Sequence, residues 1–234
     1  MINKIHYISD IATREELHVI SITETWLTAS CNSSFVQLAG YEFYRGDALG
    51  VVRKHGAGVY VSKLLQSVQV DIPLSNVVGV HLIELDLYVL SVYRPPSSTP
   101  EENSSLMEFL SSFSVGKEIV VLGDFNLPTI PWNRNNSFNT DYVRPVDRAF
   151  RDVFEECGLV QWVDFGTFFP AGSTLDLVFT SDEDRVIDVN ALAPFPGCHH
   201  CPVVCRLVFQ FEDSSSDSAS SFCWERGNYA GMSD

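Results

Sequence analysis

The stretch that decides the fold is "VVLGDFNLPTIPW", residues 120–132. Apolar residues lead through Gly123 to Asp124, and Asn126 follows two positions later on the same side of an extended chain. Two prolines and a tryptophan then close the turn. Asp and Asn are common turn residues, so a simple strand end with a turn is one interpretation. The other is a strand that delivers a carboxylate and a carboxamide to a catalytic edge.

Length and composition favour a folded α/β protein. The 234 residues are 45% hydrophobic and include sixteen phenylalanines, which suits one large domain or two small ones. No run of eighteen apolar residues occurs, and the N-terminus lacks the long apolar segment of a secretory signal. We therefore predict neither a membrane span nor a signal peptide. The six cysteines are predicted to be free thiols.

The charge argues against a simple nucleic-acid-binding surface. Thirty acidic residues against fifteen basic ones give a net charge of −15, whereas phosphate binding usually needs a basic face. An anionic substrate would therefore require a divalent cation or a local basic patch. Candidates for such a patch are the "RKH" run at 53–55 and Arg94, Arg134 and Arg144, although each taken singly reads as solvated surface charge.

The hydrophobic pattern predicts about ten strands and three helices. Ile2, Ile5, Ile8 and Ile11 suit an amphipathic helix, and further helices are expected within 95–113 and over 146–159. Many links between strands are too short for parallel crossovers, so antiparallel pairs are required. Two stacked sheets with helices outside would bury this much apolar surface. After residue 211 the composition changes to Ser, Asp and Glu, which predicts a domain over 1–211 and a solvated tail over 212–234.

Polar residues at strand ends are the candidate site. They are Glu24 after "HVISIT", Tyr93 and Arg94 after "LYVLSV", Asp124 and Asn126, Asp176 inside "STLDLVF", and His200 before the last strand. Taken singly, each is more often a cap, a half-buried aromatic or a structural histidine. Asp176 is the hardest to dismiss, because a carboxylate within an apolar strand must be paired. Together they are the groups that phosphoester hydrolysis needs.

Six motifs in order carry a family resemblance: "ISITETWL", "GAGVYVS", "SVYRPPSS", "VVLGDFNLPTIPW", "STLDLVFTS" and "HCPV". They resemble the endonuclease domain of non-LTR (LINE-type) retrotransposons, within the endonuclease/exonuclease/phosphatase superfamily that includes apurinic/apyrimidinic endonucleases. The likeness spans about residues 4 to 211. The closing "FCWERGNYAGMSD" resembles the connector that precedes the reverse transcriptase in such polyproteins.

The resemblance implies a fold, a cofactor and a reaction. The fold is a four-layer α/β/β/α sandwich of two mixed sheets flanked by helices. The cofactor is Mg²⁺, with Mn²⁺ as a substitute, and the reaction nicks DNA to leave a 3′-hydroxyl. By resemblance, Glu24 binds the metal and Tyr93 contacts the phosphate. Asp124 activates water beside Asn126, and Asp176 orients the catalytic His200. Thr167 matches a polar residue on the DNA-facing side, and we expect Arg94 to be a second substrate contact.

Two departures from the family pattern predict impaired activity. The family begins with a strand that ends in asparagine, and this chain starts at "MINKI", so the first strand is expected to be truncated. The family's terminal Ser-Asp-His motif reads Cys198-His199-His200 here, which removes a carboxylate beside the histidine. The expectation is a fold that survives better than its activity.

Three alternatives stay open. One is another phosphoesterase of the same superfamily, since "GDFN" does not discriminate substrates. Another is an inactive retrotransposon remnant. A third is a zinc module built on Cys198, His199, His200, Cys201 and Cys205, although no second C-x₂-C motif is present. The sequence leaves the oligomeric state and the location open, and only the family's task implies the nucleus.

Overall fold

The computed structural model describes residues 4–47, 55–132, 143–169, 171–210 and 221–222. These ranges contain three α-helices, α1 (Ile5–Arg14), α2 (Pro100–Phe113) and α3 (Pro145–Glu156). They also contain thirteen strands: β1 (Val19–Thr23), β2 (Tyr41–Gly46), β3 (Ala57–Ser62), β4 (Ser67–Val70), β5 (Val77–Leu82), β6 (Leu87–Tyr93), β7 (Glu118–Asp124), β8 (Val160–Gln161), β9 (Asp176–Thr180), β10 (Val186–Ala191), β11 (Val203–Leu207), β12 (Phe209–Gln210) and β13 (Ser221–Phe222). Short 3₁₀ turns lie at Ser33–Val36, Ile83–Leu85 and Glu183–Arg185.

The larger sheet has six strands in the order β4-β5-β6-β7-β9-β8. Strands β6 and β7 are parallel, because helix α2 follows β6 in the chain and returns it to the end of the sheet at which β6 began. The other neighbours pair antiparallel. Helix α2 begins at a capping box, in which Thr99 and Glu102 satisfy each other's backbone N–H groups.

The smaller sheet has three antiparallel strands in the order β1-β3-β2. Strands β10 and β11 form a separate antiparallel pair, and β12 pairs with β13. Among the described residues, β1 has only β3 as a partner and β11 has only β10. Each of these two strands therefore has one unpaired edge.

Three apolar clusters define the layers. Helices α2 and α3 cover one face of the large sheet through Leu110, Phe150 and Phe154. Between the sheets, β3 packs on β5, β6 and β7. Helix α1 covers the outer face of the small sheet through Ile8 and Ala12 against Tyr60. The predicted mixed α/β sandwich with helices outside is confirmed, and parallel pairing in the described residues is confined to β6 and β7.

Local boundaries differ from the sequence expectation. The first helix is described from Ile5 to Arg14 and so extends past Ile11. More strands are present than the ten expected, because the two-residue strands β8, β12 and β13 are too short to produce a periodic pattern. The described helices include none with the length and apolarity that crossing a bilayer requires. Arg53, Lys54, Arg134 and the tail 212–234, apart from 221–222, lie outside the described residues.

Candidate active site

Three neighbouring strands of the large sheet bring the predicted residues together at one end of the sheet, where those strands begin or end. Tyr93, the last residue of β6, lies opposite Asp124, the last residue of β7. Asp124 in turn lies opposite Asp176, the first residue of β9. The strand order thus joins positions far apart in the chain, which the sequence alone does not show.

Gly123 makes the close approach of β6 and β7 possible just before Asp124. Its φ is +147°, and a Cβ at this position would lie 1.8 Å from the carbonyl oxygen of Val92. No other residue type fits there without moving the backbone. The glycine of "GDFN" is therefore a requirement of packing that places the following carboxylate.

His200 completes a compact cluster with the two aspartates. Its Nδ1 lies 2.7 Å from Asp176 Oδ2, and a ring of Phe168 flanks it at 5.0 Å between centroids. One ligand atom from each of Asp124, Asp176 and His200 falls within 4.8 Å of the others. Within the described ranges this is the one group of acidic, histidine or cysteine side chains arranged closely enough to bind a metal ion.

Glu24 reaches the cluster through Tyr93. The Tyr93 hydroxyl donates a hydrogen bond of 2.7 Å to Glu24 Oε1. Glu24 itself is exposed and lies just beyond the end of β1. The small sheet therefore supplies a carboxylate to the same site as the large sheet. It is not a member of the compact group of three.

The backbone around the cluster is strained. Glu24 and Trp26 have φ values of 51° and 55°, in the left-handed region that such residues rarely adopt, and Asn126 has a φ of 50°, which asparagine adopts more readily. Asn126 is held there by two bonds, from its backbone N–H to Asp124 Oδ1 at 3.1 Å and from its Nδ2 to the Arg94 carbonyl at 3.0 Å. Strained residues of this kind tend to cluster at functional sites.

Arg94 lies inside the protein, and its contacts are structural. The side chain is 4% exposed, and its Nε donates to Asn103 Oδ1 at 2.7 Å. Its Nη1 donates to the carbonyls of Phe125 and Asn126, both at 3.1 Å. The guanidinium therefore holds the loop after Asp124, an arrangement that differs from the expected contact with substrate.

Thr167 is also fully buried and fixes Asp176. Its hydroxyl oxygen accepts hydrogen bonds from the backbone N–H groups of Leu175 and Asp176, both at 3.0 Å. Its own carbonyl accepts from the N–H of Cys201, next to His200. One residue thus ties together the two segments that supply the His–Asp pair, whereas the expectation was a DNA-facing side chain.

The electrostatics of Asp124 are unusual. Burial, reinforced by the negative charge of Asp176, raises the pKa of Asp124 to about 7, and Glu24 adds to the effect. The charge of His200 and the hydrogen bond from Asn126 oppose this rise only in part. A carboxyl group with such a pKa exchanges its proton near neutrality.

The neighbouring groups are shifted as well. Burial by itself lowers the pKa of His200, but the hydrogen bond and charge of Asp176, with Asp124 and Glu24, outweigh burial and raise it. Burial and the bond to Glu24 also raise the pKa of Tyr93 far above its usual range. The site therefore favours a charged imidazole and a neutral phenol.

The cysteines of "CHHC" do not form a metal site with the histidines. Cys198 contacts Lys4, and Cys201 is buried with its Sγ 3.9 Å from the Gly166 carbonyl. His199 is exposed, while His200 points its Nδ1 at Asp176. In the part of the chain that is described, the proposed zinc ligands do not converge.

Sequence reasoning missed several supporting residues. Asn76 accepts from the Gly56 N–H at 2.8 Å and its carbonyl accepts from the Tyr93 N–H, while the ring of His55 lies edge-on to Tyr93 at 5.9 Å. Asn103 anchors Arg94 from helix α2. One signal was available for Asn103, since it shares the spacing of the buried residues Leu106 and Leu110.

Comparison with known proteins identifies the family. A family model described as "Endonuclease-reverse transcriptase" matches residues 87–204, just over half of the chain. The chain belongs to the endonuclease-reverse transcriptase family. The matched range contains Tyr93, Asp124, Asp176 and His200, and the predicted resemblance to retrotransposon endonucleases is confirmed. No curated protein matches the sequence.

Solved structures similar to this endonuclease-reverse transcriptase family member share its fold. An AP endonuclease from Leishmania major aligns with a TM-score of 0.70 and 14% identity over 88% of this chain and 82% of that chain. A Neisseria 3′ phosphatase bound to a product DNA hairpin gives 0.69 and 15% over 88% and 94%. The endonuclease domain of TRAS1, a telomere-specific non-LTR retrotransposon, gives 0.63 and 14% over 88% and 91%. At these identities the likeness establishes the fold alone.

Proposed function

We propose that the chain is a divalent-metal-dependent DNA endonuclease domain that hydrolyses a phosphodiester bond and leaves a 3′-hydroxyl. The observation that carries the proposal is the convergence of Asp124, Asp176 and His200 within 4.8 Å at one sheet edge. Asp124 and Asp176 come from strands that are neighbours in the sheet but far apart in sequence, and His200 comes from the segment before β11. Two opposed carboxylates at a strand end cost stability, and the bonds from His200 and the Asn126 N–H offset that cost only in part.

The donor set fits a hard divalent cation. Carboxylate oxygens are the ligands that Mg²⁺ prefers, and Asp124, Asp176 and Glu24 supply them around one edge. Burial, together with the negative charges of Asp176 and Glu24, raises the pKa of Asp124, and a cation would offset those charges. A bound Mg²⁺ supplies Lewis-acid polarisation of the phosphoryl oxygen and compensates developing charge.

The side chains of the cluster take distinct roles in this proposal. Asp124, at the end of β7 beside Asp176 and His200, accepts a proton from the attacking water. His200, held through Nδ1 by Asp176, presents a charged ring to the phosphate. The Tyr93 phenol lies against Glu24, and the Asn126 carboxamide lies against the Arg94 carbonyl two residues along the chain from Asp124. In this proposal each donates a hydrogen bond to a phosphate oxygen or to the leaving group. Arg94 and Thr167 act as positioning residues through their buried hydrogen bonds.

DNA is the proposed substrate, supported by the family and by fold neighbours that process DNA. The net charge of −15 repels the DNA phosphates. Binding of a cation at the site should therefore increase the affinity for DNA. The rival phosphoesterase reading predicts turnover of small phosphate esters at least as fast as turnover of DNA.

The test compares substrates under matched conditions. Supercoiled plasmid, a nucleotide monophosphate and an inositol phosphate are each incubated with the protein in Mg²⁺, in Mn²⁺ and in EDTA. The proposal predicts metal-dependent nicks that a DNA polymerase extends directly, which reports a 3′-hydroxyl. Preferential turnover of either small ester would favour the rival phosphoesterase, and no turnover of any substrate would favour the inactive remnant.

A further inference from the structure

One arginine of the predicted basic patch lies on the surface beside the candidate active site. The sequence singles out Arg94 and Arg144 for such a patch, and the structure separates the two. Arg94 is buried, and its guanidinium donates to groups inside the protein. The side chain of Arg144, at the start of helix α3, is 44% exposed. Of the two, Arg144 is therefore the one that a ligand can reach from solvent.

Arg144 is held next to the loop that carries Asn126. Its Nη2 donates to the Asn126 carbonyl at 3.2 Å, and the Asn126 N–H donates to Asp124 Oδ1 at 3.1 Å. One residue and two hydrogen bonds thus connect the guanidinium to a carboxylate of the compact cluster. Arg144 lies close enough to take part in substrate binding at that cluster.

A buried carboxylate fixes the orientation of this guanidinium. Asp147 is fully buried, and its Oδ1 and Oδ2 lie 2.8 Å from Nη2 and 3.1 Å from Nε of Arg144. The Thr129 hydroxyl donates to Asp147 Oδ2 at 2.6 Å and accepts from the Arg144 backbone N–H at 3.0 Å. A two-point ion pair of this kind holds a planar guanidinium in one orientation. It differs from an ordinary exposed ion pair, in which both side chains lose freedom for little gain.

The Nη1 amino group of Arg144 is available to a ligand. Nε and Nη2 make the contacts with Asp147 and Asn126, whereas Nη1 has no partner among the described residues. A guanidinium has five N–H donors in a fixed fork, so it can pair with a carboxylate and still donate to a second anion. The planar fork matches the oxygen atoms of a phosphate particularly well.

The charges around Arg144 leave a local excess of positive charge. Burial lowers the pKa of Arg94, Asp147 and Asp124 raise it, and the charge of Arg144 lowers it further. Two guanidinium groups therefore interact with one fully buried carboxylate, since Asp124 belongs to the proposed cation site. In a chain with a net charge of −15, such a local excess is what attracts an anion to this side of the site.

We propose that Arg144 binds a phosphate of the DNA strand next to the one that is cleaved, and that Asp147 is a positioning residue for this contact. The inference rests on the proposed function, because it requires the reacting phosphate to lie at Asp124 and His200. The guanidinium lies on the Asn126 side of that position, where the same DNA backbone continues past the site. Because the contact involves only the backbone, it strengthens binding to all DNA sequences alike.

The test is the salt dependence of DNA binding. Affinity for a short duplex of mixed sequence is measured by fluorescence anisotropy over a range of KCl concentrations. Ca²⁺ replaces Mg²⁺ at a fixed concentration, because both ions bind oxygen ligands, and a gel then verifies that the DNA is uncut. Each phosphate that a cationic side chain neutralises contributes about 0.9 to the slope of log K against log [salt].

The decisive protein is the double variant Arg144→Gln/Asp147→Asn, which leaves the net charge of the chain unchanged. Replacing both partners also avoids leaving Asp147 as an unpaired buried charge, which could unfold the single variant Arg144→Gln. We expect the slope of the double variant to be shallower than that of the wild type by about 0.9. Arg144→Lys keeps the charge and should keep the slope. Arg185→Gln should keep it as well, because Arg185 pairs with Glu118 at the opposite end of β7 from Asp124.

Two results would overturn the inference while the proposed function stands. One is a wild-type slope for the double variant; combined with slower nicking in Mg²⁺, it would mean that Arg144 only positions the Asn126 loop. The other is an equal change of slope in Arg185→Gln, because the slope would then follow net charge and not this contact. If the wild type does not bind the duplex at all, the proposed function fails, and the inference fails with it.

Discussion

Asp124 and Asp176 lie directly opposite each other on the antiparallel strands β7 and β9. Two carboxylates in opposed positions repel, and burial of Asp124 at 4% exposure strengthens that repulsion. His200 is the third member of this cluster in the described residues, and it is hydrogen-bonded to Asp176 and not to Asp124. The pair is therefore electrostatically costly in the absence of a cation, and this cost can be measured.

Neutralising Asp124 should stabilise the metal-free protein, increasingly as pH rises. The pKa of this group is raised from 3.8 to about 7 on folding, so the native state binds the proton more tightly than the unfolded state. The wild-type protein thus loses stability from this group as pH rises from about 4 through 7. Asp124→Asn keeps the acceptor for the Asn126 N–H and removes the charge. We expect its Tm in EDTA to exceed that of the wild type by several degrees at pH 8 and to match it near pH 4.

The matched control for this experiment is Asp182→Asn, which removes a half-exposed carboxylate that pairs with Arg185. It should not show the same pH-dependent gain. A constant difference in Tm between Asp124→Asn and the wild type from pH 4 to pH 8 would show that the carboxyl is not perturbed by its neighbours.

Thr167 should be required for activity because it positions Asp176 and not because it touches substrate. Thr167→Val preserves shape but leaves two buried N–H groups, those of Leu175 and Asp176, without their acceptor. We expect a loss of about 1–3 kcal/mol in the free energy of unfolding and a fall in kcat. KM for DNA should change little.

The matched control is Thr180→Val, at the opposite end of strand β9 from Asp176. Thr180 is also buried, and its hydroxyl accepts from Trp162 Nε1 at 2.8 Å. This variant should lose stability but keep kcat. If both variants lowered kcat to the same extent, Thr167 would have no specific link to the site.

Arg94 should not tolerate lysine. Its guanidinium bonds three acceptors at once, and a single ammonium group cannot reproduce that planar geometry. Arg94→Lys is expected to cost about 2–4 kcal/mol in urea unfolding. Arg185→Lys, at a partly exposed ion pair with Glu118, should cost under about 1 kcal/mol. Equal costs would mean that the buried network around Asn126 contributes no more than a surface pair.

Restoring a carboxylate beside His200 should strengthen cation binding. His199 is exposed and adjacent to the cluster, so His199→Asp adds negative charge near the site without disturbing the core. A gain of about 1 kcal/mol, roughly fivefold in Kd for Mn²⁺, is expected for one added charge at this range. Titration calorimetry measures it, with Asn190→Asp on strand β10 as the charge control. Identical affinities for the two variants would leave position 199 without a role in metal binding.

The sequence predicts the secondary-structure elements but not the direction in which their terminal side chains point. The strand that ends at Asp124 and the capping box at Thr99 follow from local pattern, and both are present. The pattern could not show that Arg94 points inward while Tyr93 points to Glu24, since both are polar residues at one strand end. That difference depends on the partner strands, which lie elsewhere in the chain.

The convergence of the site was accessible only by resemblance. Asp124, Asp176 and His200 meet because β9 pairs beside β7 and because Thr167 links the two later segments. These contacts join residues far apart in sequence, which periodicity does not encode.

The central claim is that the clustered aspartates and histidine perform metal-dependent cleavage of DNA. The most direct measurement is the rate of supercoiled plasmid nicking in Mg²⁺ by the wild type, Asp124→Ala, His200→Ala and His81→Ala. The last variant removes a histidine that pairs with Asp86 at 2.8 Å on a different edge of the protein. The account predicts that the first two substitutions lower the rate by about 10²–10³-fold and that His81→Ala leaves it unchanged. Equal rates for all four proteins, or no nicking by the wild type above the EDTA control, would contradict it.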